Sequence, residues 1–517
     1  MSAVTSLGAV SGFGLGVDAL VAGALEERTA LRAVRRFSTE GLRSVPAALV
    51  PGFDEPRLKS DHQGRADELA IAFAVAAGRE ALGDRDPADI GLVVGTNLEE
   101  TAPISALVDR IAAALGLGGP RAAVSTACAS GATALALGSE WVERGVCSRV
   151  LAGGTDVITP TVYAGFQVLG AMSEGPCRPY DDRRGMGLGD GAAFCLLEAS
   201  GGPRILGWGT SADGHHPTQP APDGRGVQAA LRAALEHAGV DGVDHVHTHG
   251  TGTTANDNAE LRGIFAALDR TLCSSSKGML GHTQGAAGAL EVVLSLALAA
   301  RGRVPGTVGL QSPRAGVPDE VLKAGRSRRV DRIASTNSAF GGLNIALLLG
   351  EGPIPTRRCR RVTEERRVEL APDARPQARG FDPRRLDPSA LLLIAAVNAA
   401  LGGRPVRRGQ ARRIGLVVDQ PRVPATSLRS LRTSIEEGGA PGLHAAAFAN
   451  ALRVAPTGAC TRALGLRGPT DVLCGGLEVA LAHAHVLAEE RDLDAVVCAS
   501  VDEDLGARSI LLLSASA

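Results

Sequence analysis

The most informative segment of this chain reads Ser125-Thr126-Ala127-Cys128-Ala129-Ser130-Gly131 and runs into the apolar stretch 132–137. The pattern predicts a strand that ends near a thiol, a turn of small residues and then a helix. A cysteine at a helix N-terminus lies near free backbone N–H groups and the positive end of the helix dipole, which favour the thiolate. A single cysteine in an apolar stretch is otherwise an ordinary core residue. A nucleophilic role for Cys128 therefore depends on partners elsewhere in the chain.

Three later segments supply the residue types that a nucleophilic cysteine needs. They read Thr248-His249-Gly250-Thr251-Gly252-Thr253, Ser276-Lys277-Gly278-Met279-Leu280-Gly281-His282-Thr283 and Asn337-Ser338-Ala339-Phe340-Gly341-Gly342. Further matches are 178–181, 189–191 and 211–216. In this order the motifs resemble the β-ketoacyl synthase (ketosynthase) family of thiolase-fold condensing enzymes, over about residues 1–350.

The resemblance implies a thiolase-like α/β fold, with two duplicated halves in five αβαβα layers. The sequence itself also indicates alternating strands and helices, because the buried-strand pattern Ile90-Gly91-Leu92-Val93-Val94 follows helical spacing over 68–82. We assign residues 1–200 to the half with the nucleophile and 201–350 to the half with the histidine and lysine motifs.

The resemblance also assigns roles in the reaction. Cys128 would accept an acyl group, while His249 and His282 would bind the extender thioester and stabilise the enolate formed on decarboxylation. Neutral imidazoles suit that task, because they stabilise negative charge without protonating it. The backbone N–H groups of Cys128 and Phe340 would form the oxyanion hole, with Phe340 as a gate.

Lys277 stands out because Lys plus Arg number 54, yet only residues 59, 277 and 323 are lysines. A lysine kept at the family position indicates that a compact ammonium matters there. We expect Lys277 to orient the histidines together with Glu291. Asp257 and Asp213, which lie in matching motifs, are supporting candidates.

Three departures from the family lie near the expected acyl pocket. The stretch between Asn97 and Leu117 is much shorter than usual in the family, where it lines the pocket and reaches the dimer partner. Ser338 takes the place of the family's earlier Phe, and Met186 stands where an aromatic is common. Substrate selectivity therefore cannot be carried over.

Several classes of function are disfavoured. His245 and His247, expected on opposite faces of a strand, have no Cys or carboxylate partner at ligand spacing, so we predict no metal site there. The ketosynthase resemblance likewise implies no organic cofactor and no metal. A net charge of −1 and few aromatic residues argue against nucleic-acid binding. No apolar stretch is long enough to span a membrane. Nine cysteines without a CxxC pair or a signal peptide suit the reducing cytoplasm.

The remainder of the chain repeats its beginning. Residues 351–384 are rich in Arg and Pro and read as a solvated linker, or alternatively as a docking surface for an acidic carrier protein. The run Ile414-Gly415-Leu416-Val417-Val418 then copies residues 90–94 letter for letter. We interpret residues 385–517 as a degenerate extra amino-terminal ketosynthase half. It contains Cys474, which lacks the surrounding motif, so we expect this half to be non-catalytic.

The predicted function is a β-ketoacyl-acyl-carrier-protein synthase, an acyltransferase that condenses an acyl thioester with a malonyl thioester. Specialised polyketide or fatty-acid-like biosynthesis is the expected setting. The alternative is a non-catalytic partner like a chain-length factor; the shortened stretch favours it and the intact Cys128 opposes it. The expected partners are an acyl carrier protein and a second subunit, in a homodimer or a ketosynthase-type heterodimer. We expect residues 385–517 to cover the usual dimer face in place of, or alongside, that subunit.

Overall fold

The computed structural model describes residues 2–53, 63–98, 103–352, 360–376, 382–403, 405–439 and 442–515. The first set of elements comprises β1 (Ala3–Ser11), β2 (Gly14–Leu15), α1 (Val17–Leu25), α2 (Gln63–Leu82), β3 (Gly91–Gly95), α3 (Ile104–Leu115), β4 (Arg121–Val124), α4 (Ser130–Glu143), β5 (Arg149–Asp156), α5 (Pro160–Val168) and β6 (Gly191–Glu198).

Two further sets follow along the chain. The second comprises β7 (Arg204–Ala212), α6 (Arg225–Ala238), β8 (His245–His247), α7 (Thr254–Ala267), β9 (Leu272–Ser274), α8 (Lys277–Leu280), α9 (Ala287–Ala299), β10 (Arg303–Val304), β11 (Arg326–Ser327), β12 (Arg332–Ala339) and β13 (Leu343–Gly350). The third comprises β14 (Arg361–Leu370), α10 (Pro388–Ala400), β15 (Ile414–Asp419), α11 (Ala425–Gly438), α12 (Ala445–Ala451), α13 (Ala455–Leu464), β16 (Thr470–Leu473), α14 (Leu477–Glu490), β17 (Ala495–Asp502) and β18 (Gly506–Ala515).

The three sets share one strand topology. Their strand orders are β4-β3-β5-β6-β1, β9-β8-β12-β13-β7 and β16-β15-β17-β18-β14. Numbered within each set without the two-residue strands β2, β10 and β11, every order is 3-2-4-5-1. In each set the first three of these strands run parallel, and the last two each run antiparallel to the strand before them. The internal repetition expected from sequence is therefore present three times.

The first two sets of elements pack in five layers, because successive side chains of a strand point into different cores. On β3, Val93 points to a central core built on α4 and α9, whereas Leu92 and Val94 point to an outer core with α2 and α3. On the second sheet, Ala346 and Leu348 of β13 face an outer core with α6 and α7. The helices α4 and α9 thus lie between the strands of the first set and those of the second, which β1 and β7 join into one continuous sheet, and the predicted αβαβα arrangement is confirmed.

The third set, called the tail here, joins the edge of the first sheet. Leu473 at the end of β16 pairs antiparallel with Val124 at the end of β4. Ser125 N–H donates to the Val472 carbonyl at 3.1 Å, and Cys474 N–H donates to the Ala123 carbonyl at 2.9 Å. Tail residues on α14 and on the inner face of β15–β18 belong to the same central core as α4. The tail therefore completes the first sheet and buries its inner face.

The segment expected to be a solvated linker contains a strand. Residues 353–359, with Cys359, and residues 377–381 lie outside the described residues. Between them β14 pairs with β18 and takes the first-strand position of the tail, so the tail begins upstream of the predicted boundary at residue 385. Charged side chains such as Glu365 and Arg367 are exposed along β14. An edge strand that carries charges resists pairing with other chains, which explains why its sequence resembles a linker.

Two smaller expectations have clear outcomes. His245 and His247 lie on one face of β8, since residues two apart share a face, and the prediction of opposite faces was wrong. The Nε2 atoms of both imidazoles lie within 3.0 Å of serine hydroxyls. Within the described ranges, no helix has both the length and the apolar character needed to cross a bilayer.

Candidate active site

Cys128 lies in a tight turn between β4 and α4. Ala127 adopts a left-handed conformation with φ of 50°, which is costly for a residue with a side chain. A single 3-10 turn over residues 127–129 then leads into α4, and Ser130 Oγ donates to the Ala127 carbonyl at 2.6 Å. This turn presents the Cys128 thiol, 6% exposed, to the interior of the protein.

The thiol meets both predicted histidines. Cys128 Sγ and one ring nitrogen from each of His249 and His282 all lie within 4.8 Å of one another. The two imidazoles meet edge to face, with ring centroids 5.1 Å apart. His249 follows β8 and His282 follows α8, so this cluster combines the first and second sets of elements.

Both imidazoles are held in the neutral form. Burial, together with the Lys277 ammonium, lowers the pKa of His249 and His282 well below the usual value. His282 Nδ1 accepts the Gln284 N–H at 3.1 Å, which leaves the proton on Nε2. A thiol and two imidazoles could in principle ligate a metal ion, but the same ammonium would repel a cation. The arrangement instead suits two N–H donors facing a developing anion.

Lys277 belongs to a buried network that ends at His249. Its Nζ donates to Glu291 Oε1 at 2.5 Å, and both side chains are 2% exposed. Asn337 Nδ2 donates to Glu291 Oε2 at 2.7 Å and lies 3.5 Å from His249 Nδ1. Burial raises the pKa of Glu291 to about 7, although Lys277 and Asn337 act in the opposite direction. The network fixes the imidazole that it contacts and supplies a positive charge without touching the thiol.

The expectation of a readily ionised thiol needs correction. Burial raises the pKa of Cys128 to about 12, and Lys277 only partly opposes this effect. This shift favours the protonated thiol over the thiolate. Desolvation of the buried sulfur raises this pKa more than the neighbouring ammonium and backbone N–H lower it.

The two predicted supporting aspartates lie further from the sulfur. Asp257 accepts the N–H groups of Tyr180 at 2.9 Å and Gly252 at 3.1 Å and so holds the loop after His249. Asp213 accepts the Ala221 N–H at 2.8 Å and the Asn344 amide at 3.0 Å. Both act on loops, and neither forms a described contact with Cys128 or the imidazoles.

Two cavities meet at Cys128. The first, about 230 Å³, contains Cys128, both histidines, Met186, Asp213 and Ser338. The second, about 110 Å³, extends from Cys128 towards the tail. Phe340 and Phe166 line both cavities, with ring centroids 5.6 Å apart, and so form the partition between them. The loop of Phe340 turns through Gly341 and Gly342, whose φ angles of 80° and 77° favour glycine.

The tail forms one wall of the second cavity. The lining residues that it contributes are Val423, Leu428, Leu431, Phe448, Ala451, Leu452, Arg453 and Val454. Phe448 meets Phe166 edge to face, with ring centroids 5.7 Å apart. Between its second and third strands the tail carries α11, α12 and α13, whereas the described residues of the first set form α3 alone there. The tail thus lines the pocket where the stretch between Asn97 and Leu117 is short.

Cys474 does not occupy the nucleophile position of the tail. The pairing of Val124 with Leu473 places each residue four positions after a proline, so Cys474 corresponds to Ser125. The counterpart of Cys128 is then Leu477, the first residue of α14. Burial raises the pKa of the Cys474 thiol to about 11. The tail therefore has no thiol at the position that corresponds to Cys128.

The sequence motifs predict no role for three residues that the structure places in the site. Asn337 joins Glu291 to His249, although only its place in the Phe-loop motif marked it. Glu260 accepts the N–H groups of His249 at 2.6 Å and Gly250 at 2.8 Å. Asp156 accepts the Gly285 N–H at 2.6 Å and the Thr96 hydroxyl at 2.9 Å, and so joins the end of β3 to the turn after His282. The contacts of Asn337 and Asp156 join residues far apart in the sequence, which no local pattern reveals.

Known domains and proteins match the sequence of this chain. Residues 61–200 match the model of the β-ketoacyl synthase N-terminal domain, and residues 203–311 match that of its C-terminal domain. The 3-oxoacyl-[acyl-carrier-protein] synthase 2 of Vibrio cholerae is 32% identical over 403 residues, which cover 67% of this chain and 97% of the relative.

Solved structures extend the comparison to the tail. The ishigamide ketosynthase/chain length factor is 29% identical with a TM-score of 0.61, over 68% of this chain and 99% of that chain. The PfaC keto synthase-chain length factor has a TM-score of 0.78 over 99% of this chain and 78% of that chain, at 17% identity. The latter match shows that the fold, tail included, has a counterpart. On the matched domains and the Vibrio relative, the chain belongs to the β-ketoacyl synthase family of acyltransferases.

Proposed function

We propose that this chain catalyses decarboxylative Claisen condensation between an acyl group on Cys128 and a malonyl thioester on an acyl carrier protein. The observation that carries the proposal is the buried cluster of one thiol and two neutral imidazoles within 4.8 Å, at the junction of two cavities. Specialised polyketide or fatty-acid-like biosynthesis is the proposed setting.

The reaction proceeds in two halves. In the first, Cys128 sulfur bonds to the acyl carbon, and the departing carrier thiolate takes up the thiol proton. In the second, the malonyl carboxylate leaves as carbon dioxide, and the N–H groups of His249 and His282 stabilise the enolate oxygen. The enolate carbon attacks the acyl carbonyl, held by the backbone N–H groups of Cys128 and Phe340. The products are a β-ketoacyl-carrier thioester and a Cys128 thiolate, which is reprotonated.

A basic groove beside the reaction cavity supports a carrier protein as partner. Arg43, Arg178, Arg183 and Arg184 line a groove of about 810 Å³ that shares Thr253 with the first cavity. An acidic carrier protein would be steered to this groove by charge. Reversing Arg183 and Arg184 to Glu is then expected to raise KM for carrier-bound acyl groups and to leave transfer from a small-molecule thioester unchanged.

The alternative, a non-catalytic partner subunit, rested on the short stretch after Asn97. Tail helices line the pocket at that place, so the short stretch no longer favours this alternative. We propose that the tail substitutes for the partner subunit of a ketosynthase dimer. The eight described cysteines are all free, which supports a reducing compartment such as the cytoplasm.

Acyl loading measured by intact mass tests the proposal. Wild-type protein incubated with an acyl-carrier thioester is expected to gain one acyl group, and Cys128→Ala to gain none. Cys474→Ala is the matched control and should load normally. His249→Ala and His282→Ala should load but fail to release carbon dioxide from malonyl-carrier thioester. A wild-type protein that never loads, or a Cys128→Ala variant that does, would overturn the assignment.

A further inference from the structure

The second cavity is apolar apart from a few polar side chains. Most of its wall consists of residues such as Leu98, Val162, Leu428 and Leu431. The polar side chain of Asp156 in this wall is already satisfied, since it accepts bonds from the Thr96 hydroxyl at 2.9 Å and from backbone N–H groups. A purely hydrocarbon acyl chain would need only the apolar part of this lining.

Gln284 is different because its side-chain donor is unused. Its Nε2 is buried and has no hydrogen-bond partner among the described residues, and the residue is 5% exposed. The side chain lines the same cavity as Cys128. Its backbone is fixed on both sides, because Gln284 N–H donates to His282 Nδ1 and Gly285 N–H donates to Asp156. A buried amide left without a partner is costly, so a ligand oxygen that accepts its N–H would bind more tightly.

A second donor group comes from the tail. Arg453 is 4% exposed and lines this cavity, where it donates to the Gln420 carbonyl and contacts the Cys474 thiol. The Arg453 donors thus already have partners within the protein, and the donor without a partner among the described residues is Gln284 Nε2. The chemical complement of that N–H is an oxygen that accepts hydrogen bonds.

We infer that the acyl group held on Cys128 carries a carbonyl or hydroxyl oxygen along its chain, which accepts a hydrogen bond from Gln284 Nε2. This inference rests on the proposed function and narrows its substrate class to oxygenated acyl chains over saturated ones. Gln284 acts as a specificity-determining residue: it reads the chain and takes no part in proton or acyl transfer.

The test compares the loading of thioesters of equal length. Wild-type protein is offered hexanoyl, 3-hydroxyhexanoyl and 5-oxohexanoyl N-acetylcysteamine thioesters, and the rate constant for acylation of Cys128 is followed by intact mass. At least one oxygenated chain is expected to load about tenfold or more faster than hexanoyl. Gln284→Met, which keeps the length and removes the amide, should reduce that preference to about twofold. Leu431→Met is the control on the same cavity and should keep the preference.

The outcomes separate this inference from the proposed function. If no thioester acylates Cys128, the proposed function fails. If all three load at similar rates in wild-type protein, or if Gln284→Met keeps the full preference, the function stands and the inference is overturned. Should Gln284→Met fail to fold, as judged by circular dichroism, the wild-type preference alone still decides the substrate class. A crystal structure of the acylated protein would then place the oxygen at Gln284 or elsewhere.

Discussion

Replacing Lys277 by Met should destabilise the protein because it leaves Glu291 as a buried carboxylate without its ammonium. The two charged atoms lie 2.5 Å apart in side chains that are 2% exposed. At an effective dielectric constant of about 20, that separation corresponds to an attraction of about 6–7 kcal/mol, which desolvation partly offsets. Breaking such a pair from one side costs about 3–5 kcal/mol.

A second substitution removes the remaining charge. Glu291→Gln keeps an oxygen that can accept the Asn337 amide, a bond of 2.7 Å in the protein. The double variant Lys277→Met, Glu291→Gln should therefore be at least about 2 kcal/mol more stable than the sum of the single effects predicts. Urea unfolding of the four proteins at pH 8 measures this coupling.

The pH dependence adds a check with a defined sign. The pKa of Glu291 is already raised to about 7 beside Lys277, and loss of the ammonium raises it further. A group whose pKa is raised in the folded state stabilises the protein below its unfolded value and loses that effect as pH rises through the folded value. Lys277→Met should consequently be less destabilised at pH 5.5 than at pH 8. A penalty below about 1 kcal/mol at pH 8, or strictly additive effects in the double variant, would refute the reasoning.

Further predictions concern the tail. His483 bridges two buried carboxylates, Glu140 at 2.8 Å and Asp471 at 3.2 Å, and its pKa is raised to about 10. His483→Gln should cost about 3–5 kcal/mol at pH 7 by urea unfolding, and the difference from wild type should fall as pH rises through 10. The full chain should be a monomer by light scattering, whereas deletion after Gly352 should yield dimers or aggregates. Phe448→Ala should lengthen the longest acyl chain that loads by about four carbons, measured by intact mass.

Each of the three tail predictions has a control variant or an outcome that would contradict it. His485→Gln lies on the same helix outside the charge bridge and should leave stability within about 0.5 kcal/mol of wild type. A truncated protein that remains monomeric and condenses at the full rate would contradict the role of the tail. An unchanged chain-length profile in Phe448→Ala would show that this ring does not limit the cavity.

The parts of the structure that could be predicted from sequence are those that short local residue patterns identify. Residues 90–94 and 414–418 spell the same apolar run and form the second strands of their sets. The meeting of Cys128, His249 and His282 was also predictable from the order of the three motifs, because each motif is recognisable by its own residues. These parts depend on local patterns and on one resemblance.

The rest depended on contacts between distant residues. The strand β14 reads Arg361-Val362-Thr363-Glu364-Glu365-Arg366-Arg367-Val368-Glu369-Leu370, and its exposure hides the alternation that identifies a half-buried strand. The wall that Phe448 contributes lies more than 300 residues from Cys128 along the chain, so no spacing rule could indicate it. The raised pKa of the thiol follows from enclosure by residues of all three sets, which composition cannot reveal.

The junction of β4 with β16 also determines how many pocket walls a single amino-acid substitution changes. In a twofold-symmetric dimer, each substitution appears in both subunits and therefore around both active sites. Here the edge of β4 is occupied by a covalently attached segment, so association is intramolecular and its effective concentration does not fall on dilution. A substitution in the tail then alters one cavity only, at one side. The catalytic part and its pocket wall can consequently be varied independently within a single polypeptide.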